Sequence, residues 1–527
     1  MLLCGCAGTG PVAPRMRHLV EERQFAEAKK FAYSDDFYTS DENETLKLME
    51  QGLVHYLNRE YYQALKAFEK TAELFEQEYT ISISKALLSF FSGIKFQADS
   101  YELALLYFYQ SLSHYHLSRQ GYYESFQGLK GTVPQKNLTD SERKRHLEAA
   151  RALLIQWNDF QEKQENKDKG EKYYARDMLA KSWGGYVHSE LGTSSDLQSA
   201  RILYKGMTPL LNASYKIYPS FDDEAKKNFQ EYALKKTNLF SLPSFKRKKQ
   251  EDNVELIVKA GLISPKEAES FSVPLKIEKT FLKLYKEFVD KQGMIHFEIP
   301  TVKKPEKAPS LLLKIYEFLP DTGQVTSGQK NPSSLIDNKA SSPVIKNENP
   351  EAGKDTAQDT GVALNKEPDK SIALNKGTLV TQKPFVLIEP VSEIAYQEYQ
   401  NIRPRLIENA VAQITLKYSL AIAAAMATYQ SMPPEKKELA YLQLAMTIKL
   451  LNYTQYADTR FWSSIPAYIF QQSIQLKKGK YILEIENKEG RILYSDIFDI
   501  TEKQPILLDI NLPKVTFSEK TEKGDTK

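Results

Sequence analysis

The sequence predicts an α+β multidomain chain: a solenoid of helical hairpins in the front half, then a β-sandwich-like module with accompanying helices, split by a disordered linker. Three observations predict this. Apolar side chains recur at helical spacing across 18–244, the period shortens to that of strands from residue 253, and 322–377 is nearly free of large apolar groups. A length of 527 residues also exceeds what one hydrophobic core organises, so several folded units are expected.

The chain opens Met1-Leu-Leu-Cys-Gly-Cys6-Ala-Gly-Thr-Gly10. Small Gly5 ahead of Cys6 and a Gly/Pro-rich stretch behind it have the make-up of a bacterial lipobox, in which a peptidase cuts before the cysteine that takes the lipid. Residues 1–17 are therefore read as lipobox remnant and tether, with Cys6 as the lipid anchor. Only five residues precede Cys6, where a leader needs an apolar run of about 7–15, so the true start codon is placed upstream. Cys4 and Cys6 are the only cysteines, which excludes disulfides and thiolate zinc sites from the rest of the chain.

Within 18–244, Tyr61, Leu65, Phe68, Ala72 and Phe75 step by 4, 3, 4, 3 and share one helix face; Tyr101, Leu105, Phe108, Leu112 and Tyr115 step identically. The common core is Tyr-x-x-Ala-x-x-x-Phe, with a looser copy at Phe25/Ala28/Ala32. Gly52, twelve residues before Ala64, marks a close approach of two helices, a spacing that resembles the tetratricopeptide repeat (TPR). Trp183-Gly-Gly-Tyr186, Leu191-Gly192 and Ala200-x-x-x-Tyr204 give a degenerate fourth copy. Thr139-x-x-Glu142 is a capping box ahead of a further helix. Hairpins of this kind bury their apolar stripes on one another and leave a concave groove, towards which Met49, Leu53 and Tyr56 are expected to project as candidate partner-binding residues.

The connector Phe245-Lys-Arg-Lys-Lys-Gln250 lacks interleaved aromatics and reads as a solvated linker, not a nucleic-acid patch. The first part of the β-rich domain, 253–321, holds strands at Val254–Val258, Ile295–Ile299 and Leu311–Tyr316, with Ser264-Pro-Lys-Glu267 as a capping box for a helix between them. The linker 322–377 cannot offset the entropy of ordering and repeats Ala-Leu-Asn-Lys at 363–366 and 373–376. In 378–517, Phe385–Ile388 is a strand; helices over 391–402 and 404–430 are separated by Pro404; a third covers 434–451. Strands follow at 474–476, 481–485, 492–500 and 506–510, with Gly490 supplying the positive φ of a turn. A disordered tail, 518–527, ends the chain. Ala410–Tyr429 is the most apolar stretch, but Gln413 and Lys417 interrupt it and it reads as a packed helix.

Leu3-Cys-Gly-Cys6, Val254-Glu-Leu-Ile-Val-Lys-Ala-Gly-Leu-Ile-Ser-Pro265 and Ala457-Asp-Thr-Arg-Phe-Trp-Ser-Ser-Ile-Pro466 together resemble an uncharacterised family of bacterial TPR lipoproteins. The most specific piece is Asp458-x-Arg460-x-Trp462-x-x-x-Pro466, although Thr459 and Ile465 stand where that family often has leucine. The resemblance implies a location and an architecture and supplies no activity.

Chemistry finds little purchase. His114 and His116 lie two apart on a helix and point in different directions, as do His188 and Glu190, so neither pair shares a metal. No metalloprotease, phosphate-loop or nucleophile-elbow motif occurs, so no catalytic, cofactor-binding or metal residue is assigned and no enzyme is expected. A net charge of +3 selects no nucleic-acid partner. Asp458 and Arg460 are read as an ion pair orienting the entry to the last β unit, with Trp462 packed over its edge and Pro466 stiffening it; an exposed Arg/Trp partner site is the alternative. The expected role is a lipid-anchored scaffold or adaptor that binds protein partners of the bacterial envelope through the helical groove. Ala7 after the cysteine favours the outer membrane, facing the periplasm. Binding of peptidoglycan or another carbohydrate by the C-terminal β module is the alternative; three tryptophans argue against a stacking platform and 31 tyrosines keep it open.

Overall fold

The structure is a computed structural model describing residues 12–85, 95–128, 131–166, 177–242, 252–274, 294–319, 376–436, 439–440, 442–443, 446–447, 457–501 and 505–515. Cys4, Cys6, the connector 245–250, most of the predicted linker and the tail 518–527 lie outside the described residues.

Among the described residues, ten α-helices lie in the front half: α1 (Val12–Glu21), α2 (Phe25–Ala32), α3 (Glu44–Leu57), α4 (Tyr61–Lys85), α5 (Ser100–Gln120), α6 (Asp140–Asn166), α7 (Met178–Leu191), α8 (Ser194–Lys205), α9 (Met207–Ala213) and α10 (Asp223–Leu239). Each packs on the next in sequence through the apolar stripes read above. Their ends are set locally. Asp99 and Glu102 form a capping box on α5, Thr139 and Glu142 one on α6, and Asp177, Thr193 and Asp222 cap α7, α8 and α10. The predicted close approach is present, a Cβ at Gly52 standing 2.4 Å from the Phe68 ring, and the structure adds a second, where one at Gly185 would stand 2.6 Å from the Tyr204 ring. Between α5 and α6 the chain makes two small antiparallel pairs, β1 (Tyr122–Tyr123) with β4 (Lys136–Asn137) and β2 (Phe126–Gly128) with β3 (Gly131–Val133).

Behind them come β5 (Val254–Leu262), β6 (Lys266–Pro274), β7 (Met294–Val302), β8 (Leu311–Phe318), β9 (Lys376–Pro384), β10 (Val386–Glu389), α11 (Val391–Ser431), β11 (Pro466–Ile474), β12 (Gly479–Asn487), β13 (Ile492–Ile500) and β14 (Ile506–Leu512). One four-stranded sheet runs β10-β11-β5-β14, with β5 and β14 parallel; the other runs β13-β12-β8-β9 and is antiparallel throughout. Strands from before the linker are thus central members of sheets completed after it. The buried apolar side chains of the helices and both four-stranded sheets form one continuous cluster, while β6, β7 and α11 share a smaller one.

Four sequence expectations are corrected. Lys266–Pro274 is a strand hairpinned with β7, so Ser264–Glu267 caps no helix: Ser264 N–H instead donates to Ser392 Oγ, 3.1 Å. Lys376 and Gly377, placed in the linker, belong to β9. Pro404 lies inside the single helix α11 and does not divide it; the residue sits on an exposed side of the helix. Of the strand expected at Ile474–Leu476 only Ile474 is strand, the last residue of a longer one beginning at Pro466, a first-strand position that proline tolerates. Of the expected helix 434–451, the described part is a 3₁₀ turn at Pro434–Lys436 and helical residues near 439–447.

Candidate binding groove

Alternation along β5 places Val254, Leu256, Val258 and Ala260 on one face and Glu255, Ile257 and Lys259 on the other. The polar face is turned to the helices. Register carries it across the sheet, since Gln471 on β11 and Asp509 on β14 both pair with Ile257, and Ser473 pairs with Glu255. A strand buried on both faces must satisfy such groups internally, and the helices supply the partners. Tyr232 OH lies 3.0 Å from Glu255 Oε1 and 3.1 Å from Gln471 Oε1, and Lys236 Nζ reaches Glu255 Oε2 at 2.8 Å. On β10, Glu389 accepts Tyr215 OH at 2.8 Å and Leu179 N–H at 3.0 Å.

Met49, Leu53 and Tyr56 lie on the inner side of α3, but they are 0%, 1% and 2% exposed. The expectation that they line a groove open to a partner is corrected: this chain's own sheet covers them. Tyr56 OH donates to Asp509, whose other oxygen pairs with Lys259 Nζ at 2.6 Å, and His116 Nε2 stands 3.1 Å from Asp509. Burial alone would raise the Asp509 carboxyl, but Lys259 and His116 outweigh it and hold it well below the usual carboxylate range. Burial lowers the His116 pKa and outweighs the Asp509 hydrogen bond and charge, which raise it. These groups face one another. The adjoining cavity beside Lys259 measures about 20 Å³, room for a water molecule and not for a substrate.

The segment 457–466 is held as a peptide would be. Arg460 makes a bidentate pair with Asp458 (2.8 and 2.7 Å) and donates to Asn43 Oδ1 (2.9 Å) and the Glu42 carbonyl (3.3 Å) at the start of α3. Glu102 on α5 accepts Trp462 N–H at 2.7 Å, and Glu50 on α3 accepts Ser463 N–H and Oγ, both at 2.7 Å, as well as Ser464 Oγ. Arg17 on α1 donates to the carbonyls of Ile263 (2.7 Å) and Ser463 (3.1 Å). The Trp462 indole is fully buried against Phe68 and Tyr109, ring centroids 6.0 and 5.9 Å away. Asp458 and Arg460 are thus paired with Arg460 buried; Trp462 packs among the helices and not over a sheet edge, and Pro466 starts β11 opposite Leu262. Trp157 and Trp183 are also fully buried, so none of the three tryptophans offers a stacking surface.

Next to this segment, Asp99, Glu102, Glu398 and Tyr399 gather around Lys266. Lys266 Nζ pairs with Asp99 at 2.6 Å, Tyr399 OH lies 3.3 Å from Asp99, and Ser100 Oγ donates to Glu398 at 2.5 Å. Burial, with the Asp99 charge added, pushes Glu398 up to about 8 and, against the pull of Lys266, Glu102 up to about 7. His114 and His116 point to different partners, His114 Nδ1 meeting His146 Nδ1 at 2.8 Å. Sequence reasoning missed Glu50, Glu102, Glu255, Lys259, Glu389 and Asp509. The signal was a charged residue in phase with an apolar face, as Glu255 and Lys259 are within Val254-Glu-Leu-Ile-Val-Lys-Ala260.

No family model matches the chain, and no curated protein or solved structure matches it either.

Proposed function

We propose that this chain is a lipid-anchored scaffold of the bacterial cell envelope that binds protein partners without catalysis, and that partners meet the outside of the fold, not its groove. The carrying observation is the capture of 457–466 on the inner side of α1, α3 and α5, which leaves that side no vacancy for a foreign peptide. The helical array in this reading is a degenerate TPR-like frame whose ligand is its own β unit. Isolated apolar side chains on its outer side, Ile155, Ile202 and Leu234, are 58%, 62% and 60% exposed and are the kind of contact an adaptor uses. Cys6 supplies the lipid, and Ala7 after it favours the outer membrane, facing the periplasm.

The test combines placement and binding. Globomycin is expected to shift the mobility of the full-length product; unchanged mobility and membrane fraction would sink the anchor. Cross-linking from native membranes through a photoreactive residue at position 202 or 234 is expected to capture a partner that the same residue at position 53 does not. Capture from position 53 alone would restore the open-groove reading.

A further inference from the structure

We propose that the arm built from β6, β7 and α11 is clasped to the start of α5 by a carboxyl cluster at its root, and that the root lifts from α5 as the cluster loses protons. The arm has a core of its own. Val391, Ile394, Ala395 and Tyr399, in the first turns of α11, belong to the main core, whereas Ile414, Tyr418 and Ala425 pack with Phe297 and Ile299 of β7 in the smaller one. Between the two, from Gln400 to Gln413, no residue of α11 is fully buried. Arg403 of α11 pairs with Glu269 of β6 at 2.5 and 3.0 Å, which ties helix and ribbon to each other. The root can therefore shift while the arm's own packing is kept.

Both ends of that root meet α5 at one place. Lys266 opens β6 opposite Val302, the last residue of β7, and Glu398 and Tyr399 close the anchored part of α11. Facing them are Asp99, the N-cap of α5, with Ser100, Tyr101 and Glu102 of its first turn. Lys266 pairs with Asp99 at 2.6 Å, and Glu102 and Glu398 lie within reach of the same charges. The phenols of Tyr101, Tyr218 and Tyr399 stand around the carboxyls, with Tyr38 and Arg460 beyond Glu102; burial raises all four phenols, so they stay neutral. If Asp99, Glu102 and Glu398 were all ionised, the Lys266 ammonium would balance one and leave two like charges in a site without water, a costlier state than a proton on each. The hydrogen bonds agree. Ser100 Oγ donates to one oxygen of Glu398, and the other oxygen is buried and meets no donor among the described residues, as suits a carboxyl that keeps its proton.

The direction follows by linkage. In the closed root Glu398 holds its proton up to about 8 and Glu102 up to about 7, whereas a carboxyl released into water gives it up near 4.5. The clasp is thus strongest below about pH 4.5 and weakens until pH has passed the closed-state values. Above them Glu398 is a charge set against Asp99 and Glu102, and lifting the root admits the water that all three require.

Pulsed electron-spin distances on the full chain test this, with labels on non-cysteine handles at exposed Ala427 in the arm and exposed Lys227 on α10. A longer-distance fraction is expected to grow by at least about tenfold between about pH 5 and about pH 8.5. A second pair, at exposed Lys144 and Lys227 within the helical array, is expected to stay unchanged. Glu398→Gln, which cannot ionise, should hold the short distance at the higher pH, and Glu102→Gln should weaken the response in the same sense. Three outcomes overturn the proposal: a wild-type arm distance that does not respond to pH, a wild-type response retained in both variants, or a helical-array pair that lengthens together with the arm pair, which means that the whole fold loosens and not the root.

Discussion

Arg460 is 4% exposed, and its guanidinium is shared between Asp458 and the residues just before α3, so its loss takes both guanidinium donors from the Asp458 carboxylate and one from the Asn43 amide oxygen. Arg460→Ala is expected to destabilise the fold by about 2–3 kcal/mol, at or below the lower end for a buried pair because Asp458 is a third exposed. Thermal or urea unfolding measures it; full stability with loss of a co-purifying partner would return this residue to a binding role. Glu398 and Glu102 make a second residue-scale prediction. In the fold they keep a proton up to about 8 and about 7, whereas the unfolded chain releases it near 4.5. Their contribution to stability is therefore complete below about pH 4.5 and is lost as pH climbs through the folded values. The melting temperature should fall between about pH 4.5 and about pH 8, and Glu398→Gln, which keeps the neutral form, should flatten that fall. An identical slope in the variant would remove Glu398 from the account. His114 works at the other limit: burial and His146 hold it down to about 3, so its share of stability is lost as pH falls below 6.5.

For single elements, the helices and most strands were legible because each has one apolar face with a clear period. Gly52 was legible as a contact point from its spacing to Ala64, whereas Gly185 was legible only as part of a repeat copy. Gly52→Ala and Gly185→Ala are each expected to cost about 1–3 kcal/mol, since the Phe68 and Tyr204 rings they would strike are buried and have nowhere to retreat. Equal melting temperatures for wild type and both variants would contradict the close approaches. Less legible were elements whose identity depends on a distant partner. Lys266–Pro274 carries helix-start residues, but nine residue pairs with β7 outweigh a local cap worth about 1 kcal/mol. Pro404 likewise marks a helix start by local rules, and only its solvent-facing position lets one helix run through it.

In the whole molecule, the groove was the part the sequence could not place. Periodicity gave Met49, Leu53 and Tyr56 an inner side to project from; nothing local said that Asp509, more than four hundred residues later, would fill it. It follows that the helical array does not stand alone. A fragment spanning residues 12–242 is expected to be poorly soluble or molten, because Glu50, Glu102 and the aromatic side chains around Trp462 would lose their cover. Co-expression with residues 252–515 is expected to recover a folded complex. Circular dichroism and hydrogen exchange report both, and a stable, sharply melting fragment would show that the groove can exist unoccupied. The parallel pairing of β5 with β14 also sets a clock. β5 leaves the ribosome about 250 residues ahead of the strand it lies beside, a wait of roughly 12–50 seconds at ordinary synthesis rates, during which Glu255 and Lys259 stay wet and the inner side of the helices stays bare. The inner side of the helices thus waits on the last strand of the chain for part of its cover.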